Sequence, residues 1–240
     1  MQASILHQPN NEGYRISSEL RGLLHSLGTE RKIEKDSYLF HEGDTADEIY
    51  ILKSGLIQIN KLTADGKEMI LRICRKEDIM GELTLFGDQP TYLLSSLVLE
   101  SGEVFVIKKH VLEEALMTNG HLTFEYLKWV NNHMRKFQSK IRDLLLNGKK
   151  GALYSTLIRL ANSYGTQTES GIRINLVMTN QELAKFCAAT RESVNRMLAD
   201  LRKQGVIQMT SNHHIVITDM HYLKQQIACE NCPLEICNIN

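Results

Sequence analysis

Between Leu122 and Asn147 the chain carries an apolar repeat that fixes a long helix and a partner for it. Leu127, Val130, Met134, Phe137, Ile141 and Leu144 are spaced 3, 4, 3, 4, 3. On an α-helix that spacing places all six in one narrow heptad seam. The outer face carries Lys128, Arg135, Lys136, Lys140 and Arg142. A seam this narrow beside so charged a back suits a two-stranded contact better than burial against the helix's own domain. We therefore expect a homodimer with those six residues at its interface. Asn147-Gly148 ends the helix, because both residues tolerate the left-handed backbone of a C-terminal cap.

The segments on either side differ in charge and pattern. The net charge of the 240 residues is zero, yet Glu34 to Thr118 holds 16 acidic against 9 basic residues. Asn147 to Lys203 reverses the balance, with 4 acidic and 9 basic. This asymmetry predicts two domains, the second facing a polyanion. The acidic part reads as short strands broken by glycines. Ile49 to Leu52 runs to Ser54-Gly55, Leu56 to Ile59 precedes Lys61, Met69 to Cys74 follows a hairpin signal at Asp65-Gly66, and Val104 to Ile107 closes the set. Such strands suggest a β-roll, sandwich or barrel, followed by a helix over Lys109 to Met117. We place the segments at 1–118, 119–147, 148–224 and 225–240, in an α+β fold.

The basic part opens with a helix from Ala152 to Tyr164, ended by Gly165. Thr166 to Gly171 reads as a polar loop and Ile172 to Val177 as a strand. Thr179-Asn180-Gln181-Glu182 then has the form of a capping box, with Thr179 as N-cap. A short helix, the turn Ala188-Ala189-Thr190 and a second helix capped by Thr190 follow. The second helix buries Val194, Met197, Leu198 and Leu201 and shows Arg191, Glu192, Asn195 and Arg196 on its other face. Gly205 ends it, and strands at Val206 to Met209 and Ile215 to Thr218 flank Ser211-Asn212. This is a helix-turn-helix with a β wing. Arginine can bond guanine twice through the major groove and glutamate accepts from cytosine N4, so Arg191, Glu192 and Arg196 in the first turns are the expected base readers.

Three of the five cysteines fall near the end: Cys229, Cys232 and Cys237, spaced C-x2-C-x4-C with Pro233 after the second. An odd count argues against a disulfide framework. Clustered thiolates suit soft metals, and spacing alone leaves zinc and an iron–sulfur cluster both open. Cys74 and Cys187 read as small core residues. A fourth ligand would be needed. The candidates are Cys74, Cys187, Glu230, Glu235, His221, water, or a residue supplied by the fold. Asp143 is favoured because it lies at the end of the dimer helix, just before the Asn147-Gly148 hinge, where it could clip that helix to the tail; the alternative is an acid paired with Lys140, Arg142, Lys149 and Lys150.

From Leu20 to Leu223 the chain resembles the CRP/FNR family of bacterial regulators. The resemblance rests on Glu42-Gly43-Asp44, Ser54-Gly55 and Gly81-Glu82-Leu83 in the first half, and on Thr190-Arg191-Glu192-Ser193-Val194-Asn195-Arg196 in the second. It implies a jelly-roll-like cyclic-nucleotide-binding fold and a dimer on a two-fold symmetric operator with TGTGA-like half-sites, with RNA polymerase as a further partner. The branch that binds cyclic nucleotides has an arginine for the phosphate; Thr91-Tyr92-Leu93-Leu94-Ser95 has none here. A phosphate buried among leucines without a cation would cost several kcal/mol, roughly, so nucleotide binding is not expected. The C-terminal cysteines resemble the Bacillus-type FNR, which implies an oxygen-labile 4Fe–4S cluster and points to Asp143 as its non-cysteine ligand. The alternative is a regulator sensing a small molecule in the roll, with a zinc-binding tail. Haem motifs and enzyme constellations are missing from the sequence. The polar stretch Met1 to Tyr14 lacks a signal-peptide core and no apolar run approaches the roughly 20 residues of a membrane span, so a cytoplasmic protein is expected.

Overall fold

The computed structural model describes residues 16–63, 66–88 and 90–239. Met1 to Tyr14, and Asp65 of the hairpin signal, lie outside them. The chain forms two compact units, residues 16–134 and Arg135–Ile239.

The first unit is an antiparallel, jelly-roll-like roll with helices on one side. Helix α1 (Ser18–Leu27) precedes strands β1 (Thr29–Ile33), β2 (Tyr38–Phe40), β3 (Glu48–Leu62), β4 (Glu68–Cys74), β5 (Ile79–Met80) and β6 (Ser95–Lys108), then helix α2 (Lys109–Met117). The sheet order is β1-β6-β3-β4, with β2 on β6 and β5 on β3. Strand β3 is buried on both faces, so its sequence reads as nearly continuous apolar runs. Tyr50, Leu52, Ile57 and Ile59 fill the roll, while Ile49 and Ile51 meet Leu20, Leu24, Leu112 and Leu116 of α1 and α2. Sequence patterning splits β3 at Ser54-Gly55; the structure carries one strand through it with register shifts on both sides. Gly55 takes φ +97°, and a Cβ there would lie 2.6 Å from the Glu100 carbonyl oxygen, so the pair is a bulge.

Helix α3 spans Gly120–Tyr164 with a single non-helical residue, Gly148 (φ 58°, ψ −160°). Before that break, Leu127, Met134 and Ile141 of the expected seam are exposed, together with Phe124 and Leu145. Val130, Phe137 and Leu144 are partly covered. Val130 packs on the core of its own unit and Leu144 on that of the second. The uncovered apolar surface therefore holds half of the expected seam and three residues beside it, Leu146 being exposed as well.

After Gly148 the same helix buries Leu153, Leu157, Ile158 and Leu160 under a four-stranded sheet and the helix pair that follows. Residues expected as a polar loop form a strand instead. β7 (Gly165–Thr168) pairs with β8 (Gly171–Ile174), the sheet order being β7-β8-β10-β9. Helices α4 (Asn180–Phe186) and α5 (Arg191–Lys203) come next, then β9 (Ile207–Met209), β10 (Ile215–Ile217) and α6 (Met220–Gln226). No helix among the described residues is long and apolar enough to cross a membrane.

Candidate nucleic-acid interface and thiol cleft

Helix α4 starts at a complete capping box: the Thr179 hydroxyl accepts from the Glu182 N–H, and the Glu182 carboxylate accepts from the Thr179 N–H at 2.6 Å. The turn to α5 uses Ala188 at φ +46°, and the Thr190 hydroxyl caps α5 by accepting from the Ser193 N–H at 3.3 Å. Val194, Leu198 and Leu201 are buried, which fixes the rotation of α5 about its axis. Arg191, Glu192, Asn195 and Arg196 are all exposed on its other face, and Thr190 with them. The Asn180 amide donates to Asn195 Oδ1 at 2.5 Å, a bond between the two helices for which the sequence carries no cue. Behind α5, β9 and β10 form the wing.

The second site lies at the end of the first half of α3. Ser139, Arg142, Asp143, Ser155, Ile158, Arg159, Ile227, Cys229, Cys232 and Cys237 line one small cleft. Asp143 is 4% exposed. Its Oδ2 accepts from Ser155 Oγ at 2.5 Å and Arg159 Nη2 at 3.0 Å; its Oδ1 accepts from Arg142 Nη2 at 2.8 Å and Nε at 3.1 Å. Burial by itself would raise this carboxyl, but the serine hydroxyl and the two guanidinium groups hold it below the usual carboxylate value. Arg142 also pairs with Glu230 on the tail. Burial pushes the Cys237 thiol up, opposed by the Arg159 charge. Among the described residues, no three Cys, His, Asp or Glu side chains converge as a ready metal site. The three thiols and Asp143 share a cleft rather than a coordination sphere. As a donor set, soft sulfur with one carboxylate at the end of a buried network suits an iron–sulfur group.

The other candidate ligands fall elsewhere. Cys74 and Cys187 are fully buried in separate cores, and burial pushes the Cys187 thiol up to about 12. His221 and Glu235 do not line the cleft, and Glu230 pairs with Arg142. The alternative of an acid paired with nearby bases is met in part: Asp143 pairs with Arg142, but it is buried, and its second cation is Arg159. Arg159 and Ser155 escaped the sequence reading. A lone arginine inside the apolar run Leu153 to Ala161 was the available signal, since such a charge needs a buried partner.

Inside the roll, Glu82 has a partner of its own. Arg72 Nη2 donates to Glu82 Oε2 at 3.2 Å and to the Ile79 carbonyl at 2.6 Å, and Arg72 Nη1 meets His133 Nε2 at 2.7 Å. Both charged side chains are buried. The Tyr126 hydroxyl donates to the Glu82 carbonyl at 2.9 Å. Phe40 stacks on Tyr92 at 3.9 Å, filling the same interior.

The family described as "Cyclic nucleotide-binding domain" matches residues 30–119, and that described as "Crp-like helix-turn-helix domain" matches residues 151–226. The chain is 63% identical over 225 residues to the "Anaerobic regulatory protein" of Bacillus subtilis, covering 94% of each. It is 33% identical over 213 residues to the "Lactate racemization regulatory protein" of Lactiplantibacillus plantarum, covering 85% of this chain and 93% of that one. Among solved structures, a CooA mutant from Carboxydothermus hydrogenoformans aligns with a TM-score of 0.74 at 18% identity, covering 90% and 96%. At that identity the likeness is one of fold.

Proposed function

Because the chain belongs to the CRP/FNR family of transcription regulators, we propose that it is an anaerobic regulator that binds a palindromic operator as a homodimer under control of a 4Fe–4S cluster. The observation that carries this reading is the cleft in which Cys229, Cys232, Cys237 and Asp143 meet. The Bacillus subtilis relative, named for anaerobic regulation, supports it.

Cys229, Cys232, Cys237 and Asp143 would hold the cluster. When bound, it supplies an oxygen-labile link among these four side chains. The protein's own residues give that link a mechanical meaning. Asp143 sits five residues before Gly148, and Arg159 and Ser155 fix its carboxylate to the helical segment after the break. The cysteines lie beyond α6, at the far end of the DNA-reading unit. Tying Asp143 to them restricts rotation at Gly148 and favours one placement of α5. Arg191 and Arg196 then read guanine and Glu192 reads cytosine in TGTGA-like half-sites, with Asn195 and Thr190 beside them. Each copy reads one half-site, the exposed stripe of α3 joins the copies, and RNA polymerase is the partner at the promoter.

The test is anaerobic purification with a visible spectrum, iron and sulfide assays, and an operator footprint before and after exposure to air. We expect a brown protein whose footprint fades in air. A colourless protein that keeps its metal and its footprint in air would refute the cluster and favour a zinc-stapled tail. Within the operator, Arg196→Ala should cost about 1–3 kcal/mol and relax preference at one base pair. Equal losses on specific and random DNA would make Arg196 a phosphate contact.

A further inference from the structure

The two oxygens of Asp143 are held differently. Oδ2 is fixed by Ser155 and by Arg159, whose side chain is 3% exposed and also donates to Ser139 Oγ at 2.7 Å and to the Ile236 carbonyl at 2.8 Å. Oδ1 is held by Arg142 alone, whose side chain is 28% exposed. That same guanidinium pairs with Glu230 and lines the cleft together with Cys232. One flexible cation thus lies between the carboxylate oxygen and the tail that carries the thiols.

We infer that Arg142 is the latch of the cleft: it caps the one Asp143 oxygen free to take a metal, and it must swing away before the four donors can converge. This rests on the reading that Asp143 and the three cysteines are the donor set. Asp143 can release Oδ1 without losing either bond to Oδ2, so its position on the helix survives the exchange. Arg142 loses little, since solvent and the 65% exposed Glu230 remain available to it. Arg159 has no such outlet: it is 2% exposed, and its charge would be stranded without Asp143. Arg159 is therefore the anchor and Arg142 the exchangeable partner. The latch also accounts for a cleft that gathers the four groups without bringing them into a sphere.

Cobalt(II) alone is the probe, titrated anaerobically into reduced, chelator-treated full-length protein. Its thiolate charge-transfer and ligand-field absorption report binding without reference to DNA. Arg142→Met should tighten cobalt binding about tenfold, the scale of a charged hydrogen bond discounted for partial exposure. Lys149→Met removes an equal charge nearby and should change it by under about twofold, as a mere field effect would. In an Asp143→Asn background, Arg142→Met should have no further effect. If Arg142→Met matches Lys149→Met, weakens binding, or still tightens it without the Asp143 carboxylate, the latch is refuted while the donor set stands. If wild type shows no cobalt–thiolate absorption, the donor set fails and the latch with it.

Discussion

At the scale of single residues, Arg72 decides what the roll can hold. The register pairs Arg72 with Ile59 and Cys74 with Ile57, so Arg72 shares their face and points into the interior, where it meets Glu82. A glutamate engaged by an internal arginine has no call for a ligand's hydroxyl. Phe40 and Tyr92 fill space beside it, and Thr91 to Ser95 offers no cation for a phosphate. Millimolar cyclic AMP should therefore leave operator affinity unchanged; a saturable rise in a binding titration would reopen the roll as a sensor. The pair also predicts stability. Arg72→Met strands a buried carboxylate and should cost about 3–5 kcal/mol in denaturant unfolding. Adding Glu82→Gln should recover part of that loss, because the stranded charge goes with it. Strictly additive losses in the two variants would show that the residues do not act as a pair.

Among the elements, α3 carries the most consequence. The break at Gly148 needs φ +58° with ψ −160°, a region essentially confined to glycine, and a Cβ there would meet nothing within 4 Å. Gly148→Ala should thus destabilise by backbone strain alone, about 1–3 kcal/mol, or straighten the helix. An unchanged unfolding midpoint and unchanged operator affinity would show that the break is dispensable. The seam before it divides in two. Ile141 is 56% exposed, so Ile141→Asp should weaken the proposed dimer in sedimentation and leave the thermal unfolding of the protomer nearly intact. Phe137 is partly covered within the protomer, so Phe137→Asp should lower both. Identical behaviour of the two would contradict this division. What the sequence revealed here follows from periodicity. Helix α2, the capping box and the pair α4 and α5 are legible because caps and apolar spacing agree. β1 and β7 are not, because Thr29 to Lys32 is exposed and Gly165 to Thr168 has no apolar residue, so only backbone pairing makes them strands. The seam shows its register but not which half is covered, since that depends on neighbours distant in sequence. The thiols and Asp143 were legible as chemistry, whereas Arg142 and Arg159 gain their meaning only from the contacts that folding supplies.

For the molecule as a whole, the open question is how far a change in the cleft travels, and the tail limits it. The sequence marks 225–240 as a cysteine-rich tail, and residues 236–239 of it are held against the DNA-reading unit. Ile236 and Ile239 are 4% and 2% exposed. The Cys237 carbonyl accepts from Asn162 Nδ2 at 2.6 Å, and the Ile239 N–H donates to Ser163 Oγ at 3.0 Å. Arg159 reaches the Ile236 carbonyl from the same helix. These contacts involve no donor atom of the cleft, so they persist whatever the thiols bind. By contrast Glu230 and Asn231 are exposed, and Glu230 is tied to the helix by the half-open Arg142. On the proposed cluster, oxygen should therefore loosen the stretch around Cys229 to Cys232 while residues 236–239 stay seated, which would make the signal a local shift near Gly148 rather than release of the tail. Removing residues 234–240 tests this without any iron present. Each buried isoleucine is worth about 1.5–3 kcal/mol, and the truncation also strips partners from the buried Arg159. Iron-free truncated protein should unfold at a clearly lower temperature than the iron-free full chain. In hydrogen exchange on the iron-free full chain, the Ile239 amide should be protected and those of Glu230 and Asn231 should exchange fast. Equal unfolding temperatures, or an Ile239 amide exchanging at the rate of an unfolded chain, would mean that the tail is held by the thiols alone and that their release sets the whole segment free.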